Sequence, residues 1–240
     1  CMDYRVVFMG SPEFALPTLD ALAKNYRVVG VVTQPDRPAG RGKNLKPPPI
    51  KTLANMLGIE VIQPERLRET VALDKLASWR PDVIVVAAFG QILRANVLSL
   101  PEYGCINVHA SLLPRWRGAA PIQAAILAGD AATGVTIMKM DAGIDTGAIL
   151  SQEQIAINTR DTAGILSDNL AMAGARLLLQ TLPGYLNGEI FAVNQDENLA
   201  TYARMLKKED GELKFDQCAV QLERLVRAFQ PWPGAFFSVQ

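Results

Sequence analysis

The chain has 240 residues, of which 49% are apolar and 20% charged, enough to bury a sizeable core and too apolar for global disorder. Lysine plus arginine equals aspartate plus glutamate at 24 each, so the net charge is zero and a uniformly basic nucleic-acid binder is excluded. Three cysteines, at 1, 105 and 218, form no CxxC pair, which argues against a disulfide framework or a zinc site and for a reducing, cytoplasmic setting. No apolar run approaches the ~18 residues of a membrane span, and residues 2–5 lead straight into a strand-like segment, so no signal peptide is expected. The chain holds a single histidine, His109. Any imidazole chemistry is confined to that position.

Residues 4–9 (YRVVFM) are apolar and β-branched, as a buried parallel strand requires. Gly10-Ser11-Pro12 then supplies a turn, an N-cap and a proline at a helix start, followed by apolar residues at helical spacing from Phe14 to Ala23. Further strands are predicted at 28–33, 60–62, 83–88 and 105–109, with helices near 48–57 and 69–79. This rhythm implies an α/β fold with an open, mostly parallel, Rossmann-like sheet and helices on both faces. A strand at 133–140 turns antiparallel, 148–157 follows, and a long helix over 161–182 is closed by Pro183-Gly184. Residues 1–189 are therefore expected to form one domain. The polar stretch 190–206 reads as a linker, and 207–240, with one amphipathic helix near 217–229, as the beginning of a second domain.

One segment is far from neutral. Residues 35–51 (PDRPAGRGKNLKPPPIK) carry Arg37, Arg41, Lys43, Lys46 and Lys51 against Asp36, a net charge of +4 that the rest of the chain balances. Two glycines and five prolines argue against regular structure over most of it. A mobile surface loop is one reading; a cationic arm that grips phosphates is the other. The segment lacks GxxxxGK[ST], and Gly10-Ser11-Pro12 does not make GxGxxG, so neither a phosphate-binding loop nor a dinucleotide site is supported.

The chemistry concentrates in 107–118 (NVHASLLPRWRG). On a strand Asn107 and His109 share a face, at the carboxyl end where open α/β sheets place their ligands. A carboxamide donor beside an imidazole suits an oxyanion forming at a carbonyl centre. A lone histidine more often makes a structural hydrogen bond, but the strand end and the asparagine partner favour a functional role. Residues 141–147 (DAGIDTG) form a tight loop whose spacing fails a calcium site. It is either a turn closed by its aspartates or the source of a carboxylate that orients the imidazole.

These residues resemble the methionyl-tRNA formyltransferases, a branch of the 10-formyltetrahydrofolate-dependent formyltransferases. The resemblance is carried by Gly10-Ser11-Pro12-Glu13-Phe14, the loop 34–51, Ala88-Phe89-Gly90-Gln91-Ile92, residues 107–123 (NVHASLLPRWRGAAPIQ), 141–147 and Pro231-Trp232-Pro233-Gly234-Ala235. It implies that Asn107, His109 and Asp145 are catalytic. Phe89, Gly90, Ile92, Ser111, Leu112, Leu113, Pro114 and Asp141 would hold 10-formyltetrahydrofolate, with no metal. Arg37, Arg41, Lys43 and Lys46 would contact methionyl initiator tRNA. Residues 207–240 would begin a truncated C-terminal β-barrel domain of the oligonucleotide-binding (OB-like) type, and the protein would act as a cytoplasmic monomer. The alternatives are transfer to another amine, a nucleotide sugar or glycinamide ribonucleotide, and a folate-binding module without turnover.

Overall fold

The computed structural model describes residues 2–39 and 44–238. Strand β1 (Met2–Gly10) leads into helix α1 (Leu16–Asn25), and β2 (Tyr26–Val32) is followed by a small antiparallel hairpin of β3 (Arg37–Ala39) and β4 (Asn44–Lys46). Then come α2 (Pro49–Met56), β5 (Val61–Ile62), α3 (Thr70–Ser78), β6 (Val83–Ala87), α4 (Ala95–Leu98) and β7 (Cys105–His109). The second half holds β8 (Arg117–Gly118), α5 (Pro121–Ala128), β9 (Ala132–Lys139), β10 (Ile149–Ala156), α6 (Ala163–Leu186), β11 (Tyr202–Ala203) and α7 (Ala219–Ala228). No helix among the described residues is long and apolar enough to cross a membrane.

Seven strands form one sheet in the order β10-β9-β7-β6-β1-β2-β5. Neighbours from β5 to β7 pair in parallel, and β9 runs antiparallel to both β7 and β10. The sheet is the Rossmann-like one expected. From β1 the chain builds outward through β2 to β5, then crosses back to β6 on the other side of β1. The order therefore reverses between β1 and β6, which is where open α/β sheets bind ligands.

Alternation along the strands gives the sheet two buried faces. Ile106 and Val108 of β7 join Val6, Phe8 and the inner residues of α1, α2 and α6 in the larger core. Cys105, from the opposite face of β7, joins Val7, Met9, Ile84, Val86 and Phe89 with α3 and α4 in the smaller one. Asn107 and His109 share the parity of Cys105, so they emerge on the α3/α4 side.

Three differences from the sequence reading have physical causes. Helix α6 does not stop at Pro183 but continues to Leu186. Leu182 and Leu186 are both buried, and that apolar packing holds the last turn although the proline removes one helical bond. Helix α5 is not anticipated from sequence because Pro121, Ile122, Ala124, Ala125, Ile126 and Leu127 are apolar on every side and leave no stripe; only Pro121 at its start and left-handed Gly129 at its end mark it. The proline-rich segment 35–51 does contain regular structure in the β3–β4 hairpin, although Arg41 and Lys43 lie outside the described residues.

Candidate active site

Strand β6 ends in a sharp turn, with Ala88 at φ 48 and Gly90 at φ 80. There, at the reversal point, a cleft of about 610 Å³ opens among Ser11, Gln34, Phe89, Gly90, Arg37 and Lys46. A second groove, of about 730 Å³, lies behind the sheet against Leu16, Leu53, Met172 and Leu179 and holds none of the candidate residues.

The strand neighbouring β6 delivers Asn107 and His109, 8% and 6% exposed. The Asn107 carboxamide makes no hydrogen bond to any described residue, although its backbone is paired on both sides in the sheet. The residue is largely buried, but its amide is not one of the fully buried polar atoms without a partner, so it is open to a ligand. The His109 ring is wedged between two acceptors. Nε2 lies 3.0 Å from the Trp116 carbonyl oxygen, and Nδ1 lies 3.6 Å from Asp145 Oδ2. A carbonyl only accepts, so Nε2 carries the hydrogen of that bond, and the lone pair of the neutral ring stands at Nδ1, facing Asp145. The Trp116 carbonyl selects this tautomer.

Asp145 itself sits at φ 54, a left-handed position that costs a non-glycine residue roughly 1–2 kcal/mol. Its Oδ2 accepts from the Gly118 amide at 2.8 Å. Gly118 in turn has φ 108, and a Cβ there would meet the Ala203 carbonyl oxygen at 2.5 Å, so only glycine brings this amide to the carboxylate.

Other candidate positions contribute differently from the sequence expectation. The Ser111 hydroxyl is fully buried and donates to the Arg115 carbonyl at 2.6 Å; Leu113 is buried, and Leu112 packs over Gly134 of β9. Thr136 donates to the Ser111 carbonyl and accepts from the Leu113 amide. The 111–114 turn is thereby held tightly: its four carbonyls accept from Thr136, the Arg115 amide, Gln152 and the Thr201 amide. Phe89 likewise turns its ring into the core, while its carbonyl accepts from Gln34 at 3.0 Å. Ile92 is 76% exposed. Asp141 closes its loop by accepting from the Gly143 amide and the Thr146 hydroxyl.

A network with no signal in the sequence surrounds Asp145. The Arg117 guanidinium, fully buried, donates to Gln195 Oε1 and to both carboxylate oxygens of Glu197. This hydrogen bonding holds the Glu197 carboxyl below its usual range. Segment 190–206 is thus packed against the site: β11 pairs with β8, and Thr201 takes the Trp116 amide on its hydroxyl and the Arg117 amide on its carbonyl. On the other side of the turn, Arg115 stacks over the Trp116 ring and pairs with Asp130. Burial pushes the Asp130 carboxyl up, but the bonds from Arg115 and Trp116 outweigh it and hold it below the ordinary carboxylate value.

In the hairpin, Arg37 and Lys46 are directly opposed and both exposed. Lys51 binds Asp36 at 2.7 Å, so these two charges cancel locally. Hydrogen bonds from Gln63 and Lys51 hold Asp36 below its usual range.

The formyl transferase family model matches residues 4–182, and the formyl transferase C-terminal domain model matches 205–240. The chain belongs to the formyl transferases. It is 51% identical over 233 residues to a methionyl-tRNA formyltransferase of Marinobacter nauticus, covering 97% of this chain and 75% of that protein. It is 53% identical over 235 residues to the methionyl-tRNA formyltransferase of Halorhodospira halophila, covering 98% and 76%. Among solved structures it resembles the N-formyltransferase of Helicobacter canadensis, in complex with folinic acid and dTDP-3-aminofucose, with a TM-score of 0.71 and 20% identity over all of this chain and 85% of the other. At that identity the likeness concerns the fold.

Proposed function

We propose that the chain transfers the formyl group of 10-formyltetrahydrofolate to the α-amino group of methionyl initiator tRNA, yielding the formylated initiator used in translation. The observation that carries this reading is the pairing of an unbonded, accessible carboxamide, Asn107, with an imidazole whose lone pair faces a carboxylate. When bound, the folate supplies an electrophilic formyl carbon and a leaving nitrogen, N10. The backbone of 89–90, the turn 111–114 and the loop 141–145 would hold it; the free Asn107 amide fits a ligand carbonyl there.

The acceptor amine titrates near pH ~8, so a usable neutral fraction exists at pH 7. Asn107 donates to the formyl oxygen as negative charge develops on it, a hydrogen bond whose removal costs roughly 10²–10³ in rate. His109 Nδ1 takes the proton released when the amine nitrogen bonds to carbon. That proton then lies between the ring and Asp145, and His109 returns it to N10 as the carbon–nitrogen bond breaks. Asp145 neutralises the charged ring while Trp116 holds its orientation.

The tRNA half of the reading is supported by the hairpin. Like charges directly opposed on a β-ribbon destabilise it, and Arg37 faces Lys46 in this way with no acid from the described residues between them. An RNA phosphate relieves that repulsion. Together with Arg41 and Lys43 these side chains carry the loop's net +4 once Lys51 and Asp36 have paired. A nucleotide-sugar acceptor, with a single diphosphate, has little use for a +4 arm.

The test is direct. The purified chain is incubated with 10-formyltetrahydrofolate and methionyl-tRNA, and formyl-methionine is released and quantified. Formation of formyl-methionine that deacylated initiator tRNA inhibits supports the reading. Transfer to an amino sugar nucleotide but not to methionyl-tRNA, or folate binding without transfer, refutes it.

A further inference from the structure

We infer that Gln195 is a positioning residue for Asp145, and that the segment joining the two family-matched regions thereby sets the catalytic loop. The inference rests on the proposed role of Asp145.

Every hydrogen-bonding site of the Gln195 carboxamide is used. Nε2 donates to the carbonyls of Asp145 and Gly147 at 2.8 and 2.7 Å. Oε1 accepts from Arg117 Nε and Nη2 at 3.0 and 2.8 Å. Carbonyls only accept and a guanidinium only donates, so the amide has one orientation and cannot flip. The Asp145 carbonyl that Gln195 grips belongs to the residue in the left-handed conformation. Such a conformation persists only where the surroundings over-determine it. Two bonds from one amide, to residues 145 and 147, clamp the loop on both sides of Thr146 and point the Asp145 carboxylate at Gly118 and His109.

The remaining ties of this segment do a different job. Glu197 completes the buried guanidinium, and Thr201 and Ala203 dock β11 on β8. None of these bonds reaches the 141–147 loop. The chain is matched by one family model up to residue 182 and by the other from 205, so Gln195 lies in the connection between them. Of the ties from that connection, the Val193–Ile149 bridge lies beyond the loop and the β11–β8 pairing acts through Gly118, while Gln195 is the one that grips Asp145 itself.

Gln195→Glu separates positioning from general packing. It keeps size and the bonds from Arg117, but replaces the donor with a carboxylate oxygen facing two carbonyls. Formyl transfer to methionyl-tRNA is measured for the full chain, for Gln195→Glu, for Asp145→Ala and for the double variant, with folding checked by circular dichroism. Gln195→Met, which fills the space without hydrogen bonding, replaces the glutamate variant where that does not fold. Misplacement of a catalytic group by about 1 Å can cost 10²-fold, so kcat should fall by roughly 10- to 100-fold while KM for 10-formyltetrahydrofolate changes little. In the Asp145→Ala background the same change should have no further effect, because groups acting as one unit are non-additive. An equal loss in both backgrounds, or no loss in the first, overturns the inference. Wild-type turnover by Asp145→Ala overturns the underlying reading itself, an outcome separable from the other two.

Discussion

His109 Nδ1 faces Asp145 Oδ2 across 3.6 Å, while the opposite ring nitrogen is held by the Trp116 carbonyl at 3.0 Å. The two partners divide the labour: one fixes where the hydrogen of the neutral ring sits, and the other waits for the proton that the reaction delivers.

Asp145→Asn tests this division. The new side chain keeps an oxygen for the Gly118 amide, so the loop should fold as before. The oxygen that accepts from Gly118 is also the one nearest Nδ1, so the amide keeps that contact but removes the negative charge that would neutralise the protonated ring. Turnover should drop by about 10²–10⁴, the range for a disabled acid–base group, with folate affinity retained. A variant that keeps most of its rate would show that the carboxylate is dispensable.

Replacing Arg37 and Lys46 with alanine should weaken tRNA binding across acceptor sequences. The slope of log K against log salt should flatten by about 0.9 for each phosphate that is no longer neutralised, on duplex RNA treated like B-form DNA. A salt titration of the double variant checks this. A slope equal to that of the unaltered chain contradicts the role of the hairpin.

The two described cysteines should react very differently. Burial raises the Cys105 thiol to about 12, and its sulfur lies against the Val97 carbonyl, whereas Cys218 is exposed. Brief alkylation of the native protein near pH 8 followed by peptide mapping should find Cys218 modified and Cys105 untouched. Equal labelling would mean that β7 is open to solvent.

The ion pair of Glu197 with Arg117 has a definite pH sign. The carboxyl is held below its usual value near ~4.3, so its stabilising contribution is complete above that value and fades as pH falls through the lower, folded one. The difference in urea midpoint between the unaltered chain and Glu197→Gln should therefore be largest near neutrality and shrink in acid. A difference that grows as the pH drops would contradict the clamp.

The sheet and the chemistry were legible because each left a local pattern. The runs at 4–9, 83–88 and 105–109 are β-branched and bounded by turn residues, and period-two alternation alone puts Asn107 and His109 on one face. Helix α5 left none, being apolar all round, and α6 overran Pro183 because tertiary packing outweighs one missing bond. The Arg117–Gln195 network was invisible for a different reason. A polar run such as 194–198 has the composition of a solvated connection, and only the tertiary fold brings it to a buried guanidinium 78 positions away. Likewise the hairpin's prolines concealed a ribbon whose prolines sit at its edges and beside its exposed Leu45.

The central claim, that His109 moves the proton in formyl transfer, is tested most directly by single-turnover formylation of methionyl-tRNA at saturating 10-formyltetrahydrofolate, comparing the unaltered chain with His109→Ala. A fall of about 10²–10⁴ in the rate of formyl-methionine formation, with folate still bound, is the predicted result. A folded His109→Ala protein that turns over at close to the unaltered rate would contradict the account.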